Sequence, residues 1–506
     1  MKKQITILAT SDLHGSVYPY NYANGEETFD GIARLKTLID QIRDENTILI
    51  DNGDTIEGSP FTFYHYCNHQ DEINPFSTAM RQLNYDYTNL GNHDFNYGED
   101  ALFTHLKQAG GLCLTSNVLY KGKPVGPDYD VKEILGKKLA FFGLCTHFVP
   151  NWEDAKNIVN FEFLDCFDTA KRIVEKIKKE VNPDYIICVY HGGFEDDPQN
   201  SESSIEGSGE NQAYRMIKEI GGIDIMIAGH QHSTSCGITM GCAYCQPAAD
   251  GSFLSSFKID IETNEITPEL LKADTDPDKQ IMEICQKAED EVQTWLDTTL
   301  GYTDKDLRLH GELTSRLYKS QLATFINNVQ FDISGADLSA TALFLRAKGF
   351  YHNITMRDLL STYFFPNTLF IKKINGKILR DYLETNAKFW SIQDDEIIIN
   401  PSYDFPTPQH HNYDMVDGIE YTIKVSNPVG SRIISLTRNG QDVKDEDEFV
   451  LILNNYRAVG GGGFDMLKDA PTIKEIQTSA VEIIAEYIKK HHTIEFDDVF
   501  NINVIK

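Results

Sequence analysis

Five times before residue 233, an apolar run long enough for one β-strand ends in a short cluster of Asp, Asn, His and Gly. Asp12-Leu13-His14 follows 4–10, Gly53-Asp54-Thr55-Ile56-Glu57-Gly58 follows 47–51, and Gly91-Asn92-His93-Asp94 follows 85–90. His191-Gly192-Gly193 follows 185–190, and Gly229-His230-Gln231-His232 follows 224–228. Further strand candidates lie at 112–116 and 139–144. Amphipathic stretches separate several of the runs, as in 31–43, where Ile32, Leu35, Leu38, Ile39 and Ile42 share one face, and in 168–181. Strands alternating with helices imply an α/β layered domain. In such sheets the loops beyond the carboxyl ends of strands carry the chemistry, and the polar clusters fall there. Taken singly, D-x-H, H-x-H or G-D-x-x-x-G is an ordinary loop or turn. Five in series are improbable as accident.

The residue types have a common use. An Asn carbonyl binds a hard cation without adding charge, and a His beside it can give a proton to a leaving group. Two divalent cations held roughly 3.5–4 Å apart need one shared anionic oxygen, and the set offers a carboxylate for it. Mixed His, Asp and Asn donors suit Mn²⁺, Zn²⁺, Co²⁺ or Fe²⁺, and no cysteine joins them.

Charge narrows the partners. Lys plus Arg number 46 against 76 Asp plus Glu, a net charge of -30. Long-range repulsion then opposes binding to DNA, RNA or an anionic membrane, and an anionic substrate needs a local positive centre. Bound cations would supply it. The N-terminal apolar stretch is interrupted by Thr6 and runs into Asp12 without a small-residue cleavage pattern, so it reads as a buried strand and not a signal peptide. No uninterrupted apolar run approaches the roughly 18 residues of a membrane span. Nine scattered cysteines, most within apolar stretches such as Ile186-Ile187-Cys188-Val189, fit reduced thiols in the cytosol. Cys242-Ala243-Tyr244-Cys245, with Cys236 nearby, could hold zinc or form a redox pair; one C-x-x-C without a second ligand pair is a weak signal and reads as structural. The expected location is cytoplasmic.

With 506 residues the chain has room for more than one domain. Residues 1–270 form the first, and 271–310 a linker and connecting helix, with Ile281, Ile284, Cys285, Ala288, Val292 and Trp295 at helical spacing. Residues 311–506 mix helix (315–329, 476–490) with strand (369–374, 419–425, 449–453) as a second α/β domain. Residues 196–211 have loop composition.

The order D-x-H, G-D-x-x-x-G, G-N-H-D, H, G-H-x-H closely resembles the calcineurin-like metallophosphoesterase superfamily across the first half of the chain. The resemblance implies an N-terminal four-layer β-sandwich flanked by helices. It assigns Asp12, His14, Asp54 and His232 to one metal, and bridging Asp54, Asn92, His191 and His230 to the other. It places His93 against the phosphate as the catalytic residue, with Asp94 beside it. Two divalent ions, Mn²⁺ or Zn²⁺, are the implied cofactors.

The second half resembles the C-terminal domain of the 5′-nucleotidase family through Tyr363-Phe364-Phe365-Pro366-Asn367-Thr368-Leu369 and Asn454-Asn455-Tyr456-Arg457-Ala458-Val459-Gly460-Gly461-Gly462-Gly463-Phe464. The resemblance implies that Phe365 and Phe464 sandwich the base, stacking worth about 1–3 kcal/mol per base, and that Asn117 and Asp417 also bind substrate. Two features depart from the 5′-nucleotidases. Ser339–Phe344 lacks the substrate-gripping Arg, and Asn96 stands where an Asp usually follows the catalytic His. Both resemble the 2′,3′-cyclic-nucleotide 2′-phosphodiesterase/3′-nucleotidase branch, as does Tyr413-Asp414-Met415-Val416-Asp417-Gly418-Ile419. The expected activity is hydrolysis of cyclic and 3′-nucleotides. The alternative is a 5′-nucleotidase or UDP-sugar hydrolase using the same metal site. A non-catalytic nucleotide sensor is disfavoured by the complete ligand set and by His93, and a surface-display protein by the expected lack of export signals. A hinge near the connecting helix is expected to gate the substrate.

Overall fold

Alternation along the strands decides the architecture of the first half. Ile5, Ile7 and Ala9 of one strand and Ile48 and Ile50 of the next share a core with Phe141, Ile187, Val189, Ile225 and Ile227. The intervening residues of those last strands, Phe142, Cys188 and Met226 among them, join a different core. Side chains of period two are thus divided between two layers.

The computed structural model describes residues 4–195, 197–199, 209–345, 347–363, 367–404, 408–476 and 478–506. The chain divides into Met1–Gln293 and Thr294–Lys506, and the division falls inside the helix Lys279–Leu296, which buries Ile281, Cys285, Val292 and Leu296.

The first unit has two six-stranded sheets. In chain order their elements are β1 (Gln4–Thr10), β2 (Thr47–Asp51), β3 (Tyr87–Thr88), β4 (Leu112–Cys113), β5 (Asp130–Ile134) and β6 (Lys137–Cys145). Helix α1 (Cys166–Glu180) follows, then β7 (Tyr185–His191), β8 (Ile225–Ile227), β9 (Thr234–Thr239), β10 (Cys242–Pro247), β11 (Phe253–Asp260) and β12 (Ile266–Lys272). One sheet runs β12-β11-β1-β2-β3-β4, with β1 to β4 parallel and β11 antiparallel to β1. The other runs β9-β10-β8-β7-β6-β5, with β6, β7, β8 and β10 parallel and an antiparallel strand at each edge. The sheets share the core of Ile5 and Phe141. Phe167, Ala170, Ile173, Val174 and Ile177 of α1 cover the outer face of the second sheet. The result is a β-sandwich with helices outside it.

The strand runs 85–90 and 112–116 contribute only two ladder residues each. Asn89 explains the early end of β3. Its amide donates to the carbonyls of Leu144 (2.8 Å) and Val189 (3.2 Å), stitching the two sheets together where the ladder would have continued.

The second unit is mixed. Its five-stranded sheet orders Asp414–Asp417, Leu338–Ala342, Glu448–Asn454, Leu369–Asn375 and Thr472–Ile476. Helices Gln321–Ser334, Gly376–Ala387 and Ala480–His491 accompany it. The helix expected over 315–329 is two helices, Glu312–Leu317 and Gln321–Ser334, because Lys319 has φ 48° and Ser320 caps the second through the Leu322 amide.

Candidate metal centre

All five polar clusters sit at or just beyond the carboxyl ends of parallel strands of the sandwich, His191 being the last residue of its strand, and backbone bonds zip the first two together. The Asp12 amide donates to the Gly53 carbonyl (2.9 Å), the His14 amide to Asp54 (2.9 Å) and the Gly15 amide to Thr55 (2.7 Å). Asp12 (φ 55°), His14 (48°), Asp54 (53°), His230 (73°) and His232 (52°) all adopt the left-handed conformation. That region costs an L-residue roughly 1–2 kcal/mol, and such strain clusters where a ligand clamp is held in shape.

Two groups of donors result. Asp12, His14, Asp54 and His232 bring their ligand atoms within 4.8 Å of one another, and Asp54, His191 and His230 do the same, with Asp54 common to both. Second contacts aim the rings. His14 Nδ1 donates to the Glu57 carbonyl (2.7 Å) and His191 Nδ1 to the Asn52 carbonyl (2.7 Å), leaving each Nε2 for the centre. The His230 amide donates to both Asp12 oxygens, at 2.9 and 3.1 Å.

The donors fit divalent cations. Asn92 Oδ1 is buried and without a hydrogen bond, which is costly without a ligand, and Asp54 Oδ2 and His191 Nε2, 3.1 Å apart, are left to each other without a hydrogen-bonding geometry. His14 Nε2 and His232 Nε2 face each other at 2.9 Å, a pairing of ring nitrogens that a shared cation would relieve. The electrostatics agree. Burial alone would lower the pKa of His191, yet Asp54 and Asp12 outweigh it and push it up to about 9. Asp54 is held well below the carboxylate range by His191 and His93, which overcome its own burial. His14 drops to about 4 through burial and the neighbouring His232.

His93 stands beside this centre. Its amide donates to Asp54 Oδ1 (2.7 Å), its Nδ1 lies 2.8 Å from Asn96 Oδ1, and the Glu57 carboxylate is 3.1 Å from the same nitrogen. Asn96 is itself held by donating to Glu153 (2.6 Å). Burial opposes the charged ring, but Asp54 and Glu57 raise its pKa well above the usual histidine value.

Asp94, expected as a catalytic group, is spent on the backbone. Its oxygens accept from the amides of Gly91 (2.8 Å), Asp54 (3.1 Å) and Thr55 (2.8 Å), so it fixes the two loops. Asn117, expected to bind substrate, is fully engaged with Cys145 (2.7 and 2.9 Å) and the Leu164 carbonyl (2.9 Å). Asp417 is also interior, paired with Lys319 and accepting from Asn327 at 3.1 Å. Phe464 is 1% exposed, with the Arg457 guanidinium 4.0 Å from its ring centre and Tyr382 edge-on. Here it is a core ring, because the buried Arg457–Asp414 pair gives it a flat cation to pack on. Phe365 lies outside the described residues, as does most of 196–211.

Three residues went unread in the sequence. Trp152 stacks on His230, with ring centres 5.4 Å apart, and Glu210 lies 2.8 Å from His230 Nε2. Neither segment has a motif. Glu57 stood inside a quoted glycine loop, but nothing in its spacing ties it to His93.

Known proteins align with both halves. Residues 5–234 match the family of calcineurin-like phosphoesterases, and 299–469 match the 5′-nucleotidase C-terminal domain. The trifunctional nucleotide phosphoesterase protein YfkN of Bacillus subtilis is 27% identical over 97% of this chain, which spans 38% of that protein's length. The 2′,3′-cyclic-nucleotide 2′-phosphodiesterase/3′-nucleotidase of Haemophilus influenzae is 26% identical, covering 96% of this chain and 84% of the relative. A solved structure of a Staphylococcus aureus protein assigned as a 5′-nucleotidase superposes with a TM-score of 0.92 at 29% identity, covering 100% of both chains.

Proposed function

The chain carries a calcineurin-like phosphoesterase domain followed by a 5′-nucleotidase C-terminal domain, and from that premise we propose that it hydrolyses 2′,3′-cyclic nucleotides and 3′-nucleotides to nucleoside and phosphate. The observation that carries the reading is Asp54, a buried carboxylate common to two donor groups, with His93 bonded to it.

Asp12, His14, Asp54 and His232 would hold one cation, and Asp54, Asn92, His191 and His230 the other. Bound there, two divalent ions supply the positive centre that an acidic protein lacks, polarise the phosphate and lower the pKa of an attacking water. The donor set favours Mn²⁺ or Zn²⁺. The rest falls to the chain. With Asp54 committed to ligation, Glu57 is the carboxylate left to balance a protonated His93. Glu57 and Asn96 anchor its Nδ1, which leaves Nε2 as the atom that gives a proton to the departing ribose oxygen. Asp94 keeps the His93 loop registered on the Asp54 loop.

Recognition of the nucleoside is assigned to the second unit. Phe464 is the ring assigned to the base, and Gly460, Gly462 and Gly463 of the loop before it all have positive φ. A cavity of about 380 Å³ in the same unit is lined by Tyr403, Gln409, Asn412 and Gly462.

The preference for cyclic and 3′-nucleotides rests on Asn96 and on the Arg-free Ser339–Phe344 segment, in line with the Haemophilus relative. The second reading, a 5′-nucleotidase, is favoured by the fit to the Staphylococcus structure. The scattered cysteines, most of them in apolar stretches, support a cytoplasmic setting. No helix among the described residues is long and apolar enough to cross a membrane. Metal titration of chelator-stripped protein tests the carrying observation. Two equivalents are expected for the wild type and loss of both in Asp54→Ala; two equivalents retained by Asp54→Ala would overturn the shared site.

A further inference from the structure

Cys236 on β9 and Cys245 on β10 are direct partners across an antiparallel pair, with their sulfurs 2.6 Å apart. Opposed residues in such a ladder have Cα atoms roughly 4.5–5.5 Å apart, inside the span of about 4.4–6.8 Å that a disulfide bridges. The pair stands within the reach of a disulfide. The C-x-x-C spacing, by contrast, is a coincidence of sequence. Cys242 and Cys245 are three apart on one strand and therefore on opposite faces, Cys242 in the core under α1 and Cys245 in the core between the sheets. Cys236 packs against that second core and is half-buried, so a small molecule can reach it, while Cys245 is buried.

We propose that Cys236 and Cys245 are a reversible thiol–disulfide site, oxidised by a small-molecule disulfide of the glutathione class. The Cys236 thiolate attacks one sulfur of the oxidant, forming a mixed disulfide and releasing one thiol. The Cys245 sulfur then attacks Cys236 Sγ, expelling the second thiol and closing the intramolecular bond. The protein gives up two electrons and two protons, and the oxidant is reduced to two thiols. The bond has a defined place in the fold. β9 starts two residues after His232, and Gln246, beside Cys245, already donates to the Ser233 carbonyl (3.1 Å) and hydroxyl (2.6 Å). Oxidation therefore staples the strand that leaves the His230–His232 loop. The proposal does not depend on the substrate reading.

The test is thiol counting and peptide mapping of the full chain, incubated with oxidised glutathione and then alkylated in denaturant. Thiols blocked as glutathione adducts, such as the exposed Cys67, are counted separately by mass; beyond these the wild type should lose two of its nine thiols, recover them with dithiothreitol, and yield a peptide pair linking Cys236 to Cys245. Cys236→Ser and, separately, Cys245→Ala should lose none by an internal bond, whereas Cys242→Ser should behave as wild type. Hydrogen exchange across Thr234–Thr239 should slow on oxidation. All nine thiols free or carrying an adduct in the oxidised wild type, or a linked pair that includes Cys242, would overturn the proposal.

Discussion

The carboxylate of Glu57 lies 3.1 Å from Nδ1 of His93, with 5% of its side chain exposed. The main-chain carbonyl of the same residue accepts from His14. One residue thus holds a ring of the candidate metal centre through its backbone and the ring proposed as general acid, His93, through its side chain. Glu57→Gln removes only the charge. It should lower kcat about 10–100-fold, the usual size of such supporting contacts, with metal content unchanged. Adding Asn96→Asp returns a carboxylate to Nδ1 and should restore part of the loss. A single variant with normal kcat, or a double variant no better than the single, would contradict the role.

His93→Asn should cost about 10²–10⁴ in kcat, the range of a general acid, while two metal equivalents remain bound. Near-normal turnover in that variant would remove His93 from the chemistry.

The candidate donor cluster was legible because each group sits at the end of an apolar strand, and the parallel order of β1, β2, β3, β7 and β8 then gathers them at one edge. Local pattern and chain order sufficed. What the sequence could not show was which polar side chains are consumed by packing. Asp94, Asn117 and Asp417 look like ligand-binding groups in a string of letters, yet each is satisfied by amides, carbonyls or a lysine from distant segments. Trp152 and Glu210 fail to register for the converse reason. They come from loops without periodicity, and only tertiary packing places them on His230.

Phe464→Ala would leave a cavity beside Arg457 and cost about 3–5 kcal/mol, as buried Phe truncations do. Phe464→Leu keeps most of the volume and is the cleaner probe of substrate. It should raise KM for nucleotides and leave hydrolysis of a small artificial phosphodiester unchanged. Equal damage to both substrates would show that the ring only packs.

His105 gives a pH signature away from the metals. It is buried against Ser77, whose hydroxyl is 2.8 Å from Nδ1, and burial pushes its pKa down to about 4. The unfolded chain takes up this proton near 6.5, so between about 4 and 6.5 the unfolded state binds more protons than the folded one. The contribution is complete above about 6.5, falls away through that window as pH drops, and amounts to about 3 kcal/mol. His105→Asn should flatten the loss of stability of the first unit between those pH values, read by denaturant unfolding at stepped pH. An unchanged slope would show that His105 does not titrate in this way.

The most direct measurement is the turnover of 3′-AMP, 2′,3′-cyclic AMP and 5′-AMP by Mn²⁺-loaded protein, side by side. The account predicts fast phosphate release from 3′-AMP, fast conversion of the cyclic nucleotide to 3′-AMP, and slow hydrolysis of 5′-AMP. Preference for 5′-AMP would keep the metal centre and reverse the substrate assignment. No turnover of any of the three would contradict nucleotide phosphoester hydrolysis itself.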